Sequence, residues 1–367
     1  MHHFCTYFDV NYLTRGLALY RSLVRHLAHP FTLWVLCFDE TTLEILTALR
    51  LPGLRLISVG EFERGDQELQ AARLNRSLIE YYWTCTPSLP LWILAVDPGV
   101  DQITYLDADL LFFSSPEPVF EESGDHSILL VKHRYAAAHE NLAPVAGIYN
   151  VELLTFRRDP SALAALRWWR ERCIEWCYAR PEDGRFGDQK YLSDWPARFS
   201  GVHVLRHTGA GVAPWNAARY ELRHEGGRVY ADRAPLIFYH FHGFMWLTDW
   251  ICVMDRNGYQ IPWEYTALVY RPYLHALHEA LEEVRREHPG FDAGFTSVSV
   301  RELLQFVEQR KTLCARRSGT RLDLRKVFRG IRWADLGPLG QQILGMTARF
   351  GGRGARKLLG ASAASRR

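Results

Sequence analysis

Between Phe4 and Val59, short apolar runs alternate with stretches of helical periodicity, and this alternation restricts the chain to few architectures. Phe4 to Phe8 reads as a strand. Leu13, Leu17, Tyr20, Val24 and Leu27 then recur at spacings of four and three, the mark of one apolar helix face. Phe31 to Phe38 is a second strand-length run, Thr41 to Leu49 a second helix, and Leu54 to Val59 alternates like a third strand. A β-α-β-α-β succession needs a parallel sheet with helices packed on its faces. Right-handed crossovers then bring the carboxyl ends of the strands to one edge, where open sheets of this kind bind ligands. The expected fold class is α/β: a Rossmann-like, mixed but mostly parallel sheet flanked by helices.

Farther along, Leu69 to Tyr82 reads as a helix and Pro87 and Pro90 interrupt the segment after it. Gln102 to Leu106 is a buried strand running into Asp107, and Ser127 to Val131 is another strand. Pro160 to Tyr178 is helical with a Trp-rich face. From Val202 to His242 short strands alternate with Gly/Pro turns. Helices are expected near Tyr273 to Glu287 and Arg301 to Leu313, the second opened by the capping-box pattern Ser299-Val-Arg-Glu302. At 367 residues the chain exceeds what one ordinary core fills. The expected division is a main domain over 1–270, a helical extension over 271–314 and a basic tail over 315–367.

The net charge of +3 gives no footprint for nucleic acid over the whole surface. Charge is unevenly placed, however: fifteen Lys and Arg but only Asp323 and Asp335 fall from Arg310 onward. Arg321 to Trp333 can form a basic helix with Leu322, Val327, Ile331 and Trp333 among the cations, and the stretch from Gly351 reads as disordered. One reading of this tail is a solvated end; the other is peripheral attachment to an anionic membrane, with Ile331 and Trp333 inserting shallowly. The seven cysteines are odd in number and lie mostly in apolar runs, as expected of buried, reduced thiols. Cys173 and Cys177 lack a nearby pair to complete a zinc set. No run reaches the ~18 apolar residues of a spanning helix, and no leader is expected ahead of the first strand. The expected location is cytoplasmic, peripheral on the inner face of the membrane if the tail binds it.

Four stretches carry chemistry. In Ile103 to Phe113 a buried strand ends in Asp107-Ala108-Asp109 before an apolar run resumes. If the segment is extended, the two carboxylates project to one side and can share a divalent cation, which also takes phosphate oxygens. Unpaired carboxylates in an apolar stretch are costly; a capped turn or buried ion pair is the competing reading. Phe238 to Phe244 holds His240 and His242 beside Gly243, and an imidazole joining the carboxylates gives a mixed O/N set that favours Mn²⁺. Asp188-Gln189 suits sugar hydroxyls, or caps a helix over Gln189 to Leu192. Gly209 to Asn216 ends in Trp215 and Asn216, which fit a sugar face or an ordinary turn equally.

Taken in order, these stretches resemble glycosyltransferase family 8 and its relatives of GT-A fold, over roughly residues 1–270. The matches are Asp9-Val-Asn11-Tyr12, Tyr105-Leu-Asp107-Ala-Asp109, Tyr149-Asn150-Val151, Asp188-Gln189 and His240-Phe-His-Gly243. The resemblance implies a retaining transferase using a nucleotide sugar, usually a UDP-hexose, with Mn²⁺ or Mg²⁺. By match, Thr6, Tyr7, Asp9, Asn11 and Tyr12 hold the nucleoside. Asp107, Asp109 and His240 are the metal ligands, set among Tyr105, Leu106 and Ala108. Asn150 and Val151 lie where donor sugar and acceptor meet. Asp188 grips sugar hydroxyls, and Gln189 faces the reacting carbon. Trp215, Asn216, His242 and Gly243 complete the donor contacts, with His242 the rival to His240 as ligand. The family's diphosphate-holding Lys after His-x-x-Gly has no counterpart, since Phe244-Met245-Trp246 follows. The acceptor is expected to be a glycan or lipid-linked hydroxyl, contacted from Trp246 to Tyr273. Two other classes compete: a nucleotide-sugar-binding protein without catalysis, and a haloacid-dehalogenase-type phosphatase, against which Leu110-Leu-Phe-Phe113 supplies no hydroxyl after the second Asp.

Overall fold

A computed structural model describes residues 1–249, 251–309 and 311–314. The basic tail over 315–367, the Arg321 to Trp333 helix and the membrane contact expected of it lie outside the described residues.

The main sheet is built from β1 (His2–Phe8), β2 (Phe31–Cys37), β3 (Leu54–Ser58), β4 (Gln102–Leu106), β6 (Ile128–Lys132), β7 (Tyr149–Arg157) and β8 (Val202–Val204), with the short β5 (Leu110–Phe112) leaving its edge. Its order is β3-β2-β1-β4-β7-β6-β8. Every neighbouring pair is parallel except those of β7, which runs antiparallel to both β4 and β6. The mixed, mostly parallel sheet therefore stands as expected from the alternation of the first sixty residues.

Each face of the sheet carries a core. On one side the helix Leu13–His26 buries Leu13, Leu17 and Leu23 with Tyr273, Leu277 and Leu281 of the helix Arg271–Glu287. The helix in the 271–314 segment thus completes the core of the sheet. On the other side the helix Leu78–Val96 buries Tyr81, Cys85, Leu89 and Ile93 against Leu166, Trp169 and Cys173 of the helix Pro160–Glu175. Six of the seven cysteines are buried thiols outside any disulfide, as expected of core residues.

Three local expectations are corrected. The helix placed over Leu69 to Tyr82 is two helices, Gln67–Leu74 and Leu78–Val96, the second opened by a capping box of Ser77 and Glu80. Pro87 and Pro90 do not interrupt it. A proline inside a helix costs about 3 kcal/mol, but each apolar side chain this helix buries returns about 1.5–3 kcal/mol. Finally, the helix expected to reach Leu313 stops at Glu308, and Thr312–Cys314 is a strand.

Beyond β8, a small meander of β9 (Leu222–Glu225), β10 (Arg228–Ala231) and β11 (Ala234–Pro235) leads into β12 (Phe238–His240), which pairs antiparallel with β5. β13 (Met245–Thr248), β14 (Ile251–Val253) and β15 (Thr312–Cys314) form a separate three-stranded sheet.

Asp39 joins two parts of the frame. Its carboxylate accepts from the Thr42 N–H at 2.7 Å, capping the helix Glu40–Leu49, and from the Val10 N–H at 2.7 Å, anchoring the loop after β1. Asp39→Ala is expected to lower stability by about 1–2 kcal/mol, read as an earlier urea midpoint with unchanged m; an unchanged midpoint would show that neither bond contributes.

Candidate active site

The Asp107-Ala-Asp109 step is a tight turn, not the extended segment expected from the sequence. The Leu110 N–H returns to Asp107 O at 3.3 Å, while the Asp107 N–H donates to Glu152 O at 2.9 Å. Turn geometry, rather than strand alternation, brings the carboxylates together. Opposite them, the β5–β12 register sets His240 across from Leu110, and the Phe241 N–H donates to Asp109 O at 3.0 Å. Asp107, Asp109 and His240 each offer a ligand atom, and these atoms lie within 4.8 Å of one another. His240 Nε2 is 3.1 Å from Asp109 Oδ1 and 3.6 Å from Asp107 Oδ2. His242 is exposed beside it, ring to ring at 5.8 Å, and is not part of this group.

Behind His240 stands a residue the motif reading missed. Glu152 is fully buried in β7, and its Oε2 accepts a hydrogen bond from His240 Nδ1–H at 2.9 Å. This fixes the imidazole so that Nε2 faces the two carboxylates, the orientation a metal-bound histidine needs. The donor set therefore fits a divalent cation: two carboxylate oxygens and one nitrogen whose tautomer is held from behind. Without a cation, protons do that work. Burial opposes charge on His240, but Asp109, Glu152 and Asp107 outweigh it and hold its proton more tightly than usual. Burial pushes Asp107 up to about 6, against His240 and the Tyr105 hydroxyl at 2.9 Å. For Asp109 burial is overcome by His240, and its carboxyl stays below the usual range. The signal for Glu152 was in the sequence as an acid within the apolar run Tyr149 to Phe156, which needs a partner when buried.

A second group faces the same cleft. Asp188, at the end of a glycine turn, is only 3% exposed, and its Oδ2 has no partner among the described residues. It sits before the 3₁₀ turn Gln189–Asp194 without a capping bond, so the helix-cap reading is not what its carboxylate does. Burial pushes Asp188 up to about 7; the Thr86 hydroxyl opposes this and Asp107 adds to it. Thr86 also bonds the Tyr7 hydroxyl at 2.9 Å. Asn150 links Gln189 to a second missed residue, His133. Its Oδ1 accepts from the Glu152 N–H at 2.8 Å, so its amide nitrogen must be the donor to Gln189 Oε1 at 3.2 Å and to His133 Nε2 at 3.0 Å. That bond requires an unprotonated His133 Nε2, and burial lowers His133 to about 3. One Gln189 carbonyl lone pair is thereby engaged and the other stays available.

The remaining expected residues ring these two groups. Thr6 is buried with an unpartnered hydroxyl, and Asp9 accepts from the Asn11 N–H at 3.0 Å and the Tyr82 hydroxyl at 3.2 Å. Tyr12 is 41% exposed. Leu106, Ala108 and Val151 are buried. Trp215 is buried too, donating from Nε1 to His133 O at 2.9 Å, with its ring 5.2 Å from His240. Asn216 ties His133 O, Gly211 O and the Ala213 N–H together, so its amide serves the loop. Gly243 has φ +74° and is packed so closely that a Cβ would lie 2.4 Å from Asn257 Nδ2.

Over 302 residues, 80% of this chain and 94% of its relative, the sequence is 31% identical to YfnD of Bacillus subtilis, an uncharacterized protein. The chain belongs to the YfnD family. YfnF of the same organism is 32% identical over 248 residues, 66% of this chain and 81% of its own. No protein-family model matches the chain. Among solved structures it is similar to the galactosyltransferase LgtC in complex with donor and acceptor sugar analogues, with 17% identity, TM-score 0.47, and coverage of 76% of this chain and 95% of that one.

Two substitutions probe the site. Glu152→Gln is expected to weaken divalent-cation affinity by about 10- to 100-fold, measured by calorimetry; unchanged affinity would show that His240 does not rely on it. Asp188→Asn is expected to stabilise the ligand-free protein above neutral pH by up to about 4 kcal/mol. The folded value of Asp188 is raised, so the native state holds the proton longer, and wild-type stability falls as pH climbs from the ordinary aspartate range to about 7. Parallel curves of stability against pH for the wild type and the Asp188→Asn variant would refute this.

Proposed function

We propose that this YfnD-family chain is a retaining glycosyltransferase that moves a hexose from a nucleotide diphosphate sugar, most simply a UDP-sugar, to a hydroxyl of a glycan or glycolipid, with Mn²⁺ as its ion. The observation that carries the reading is the pairing, at the strand ends, of a cation-ready Asp107–Asp109–His240 group with Asp188, a buried carboxylate within the field of Asp107 whose Oδ2 has no partner among the described residues. A phosphatase or a cation-storage site has no use for the second feature. A sugar hydroxyl does: it donates to an acceptor-only oxygen whose burial leaves it nothing else.

Asp107, Asp109 and His240 would hold the cation, and Glu152 keeps the His240 Nδ1 proton in place. When bound, a divalent cation supplies positive charge where the departing diphosphate becomes more negative. Asp188 orients the donor sugar through its hydroxyls. Asn150 sets the plane of Gln189, whose free carbonyl lone pair can face positive charge developing at C1. In the transfer, the bond from C1 to the phosphate oxygen breaks with its electron pair going to the diphosphate. The acceptor oxygen bonds C1 on the same face, and its proton passes to the leaving phosphate oxygen. Among the described residues no helix is long and apolar enough to cross a membrane; the basic stretch beyond Arg310 is proposed as the contact with a membrane bearing a lipid-linked acceptor.

Asp109→Asn removes one ligand charge without changing shape. It is expected to cut metal-dependent hydrolysis of UDP-sugar by about 10²-fold or more while leaving the melting temperature within a few degrees. Hydrolysis at the wild-type rate, with unchanged Mn²⁺ dependence, would remove the assignment. Wild-type protein that binds UDP-sugars but neither hydrolyses nor transfers them would favour a binding protein instead.

A further inference from the structure

Two arginines stand beside Gly243 and Phe244, and the proposed chemistry has not yet used either. Arg15, in the helix Leu13–His26, is only 4% exposed. Its guanidinium lies 4.3 Å from the centre of the Tyr12 ring and 5.9 Å from that of Phe244, and it donates to Asn11 O at 3.0 Å. Among the described residues it makes no ion pair with a carboxylate. The carboxylate whose field it meets is Asp109, which a bound divalent cation would also engage. Phe244, against which it packs, stands in the stretch after Gly243 where the sequence has no lysine.

Arg256 stands on a turn held by several hydrogen bonds to Asp255. The fully buried Asp255 accepts from the N–H groups of Asn257, Gly258 and Tyr259 at 2.8–2.9 Å and from Lys311 Nζ at 3.1 Å. The Arg256 N–H donates to Gly243 O at 3.1 Å, so the turn is seated on the residue after His242. Tyr259, which ends it, has its ring 6.4 Å from Trp215, and Trp215 is 5.2 Å from His240. The Arg256 side chain is exposed and has no carboxylate partner among the described residues. Arg15 lies over Phe244 and the Arg256 N–H meets Gly243 O, so the two arginines stand at adjacent residues next to His242.

We propose that Arg15 and Arg256 are the cations that hold the diphosphate of the donor, in the place of a lysine after Gly243. Charge balance supports this: a divalent cation offsets Asp107 and Asp109, and the diphosphate arrives with negative charge that still needs a partner. Arg15 is fixed by its contact with the Tyr12 ring and its bond to Asn11 O. Arg256 is fixed only through its backbone, and its side chain is free to close on phosphate oxygens, which a guanidinium grips with two N–H groups at once.

The inference rests on the nucleotide-sugar reading but is tested apart from it, by titrating the full chain with UDP, uridine and inorganic pyrophosphate, each with Mg²⁺. Arg256→Ala, at an exposed position, and Arg15→Gln, checked for an intact melting transition, are expected to weaken UDP and pyrophosphate at least about tenfold. Uridine binding should not change in Arg256→Ala, and in Arg15→Gln, which also touches Tyr12 and Asn11, pyrophosphate is the deciding ligand. Variants that bind UDP and pyrophosphate like wild type would overturn the inference and leave the glycosyltransferase reading standing. Pyrophosphate binding that both variants lose, in a protein indifferent to UDP, would support the inference while refuting a uridine nucleotide as donor. Wild-type protein that binds neither would overturn both.

Discussion

The hydrogen bond between His240 and Glu152 holds the cleft together. It joins β12 to β7 across 88 residues of sequence, and it settles which imidazole nitrogen faces the carboxylates. Everything else at the metal corner follows from backbone pairing. The Asp107 N–H closes on Glu152 O of β7 and the Phe241 N–H on Asp109 O of the turn, which ties the turn at Ala108 to β7 and to the end of β12. Gly211 shows how tight this region is: its φ is +72°, and a Cβ there would lie 2.8 Å from Glu152 Oε1 and 2.5 Å from Val131. A larger residue would push Glu152 and release His240.

The sugar side is built on the same strand. Asn150 and Glu152 are two apart on β7, so they project to one face, and a bond from the Glu152 N–H to Asn150 Oδ1 ties their settings together. β7 is also the only antiparallel strand of the main sheet. Its reversal carries Asn150 and Glu152 to the edge where β4 ends, beside Asp107. A parallel β7 would bring its other end, near Phe156, to that edge. The mixed topology is thus what lets one strand serve both the metal corner and Gln189.

The frame was legible in the sequence because it rests on periodicity. Apolar spacing marked the first three strands and two helices to within a residue or two, and Gln102 to Leu106 matched its strand. What failed did so where burial overrode local preference. Pro87 and Pro90 argue against a helix, yet the helix Leu78–Val96 is core on the face toward Trp169, and its packing outweighs them. Asp107, Asp109, His240 and Asp188 were readable as motifs. Glu152, His133 and Thr86 were not, because each acts through a partner far away in the chain. The two-carboxylate turn was read as extended because the i, i+2 rule was applied to a strand that had already ended.

The cleft also explains why this corner of the protein is costly to fold. Asp188 is buried with an oxygen that has no partner among the described residues, and it faces the negative field of Asp107. A core built for stability alone would place an asparagine or an apolar residue there. Keeping an aspartate means that the native state must hold a proton near neutral pH or tolerate an unsatisfied charge, and either way it forfeits stability. On the proposed reading, a sugar hydroxyl would donate to this oxygen and a cation held by Asp107 and Asp109 would offset the field of Asp107, so that binding would return part of the stability that folding forgoes.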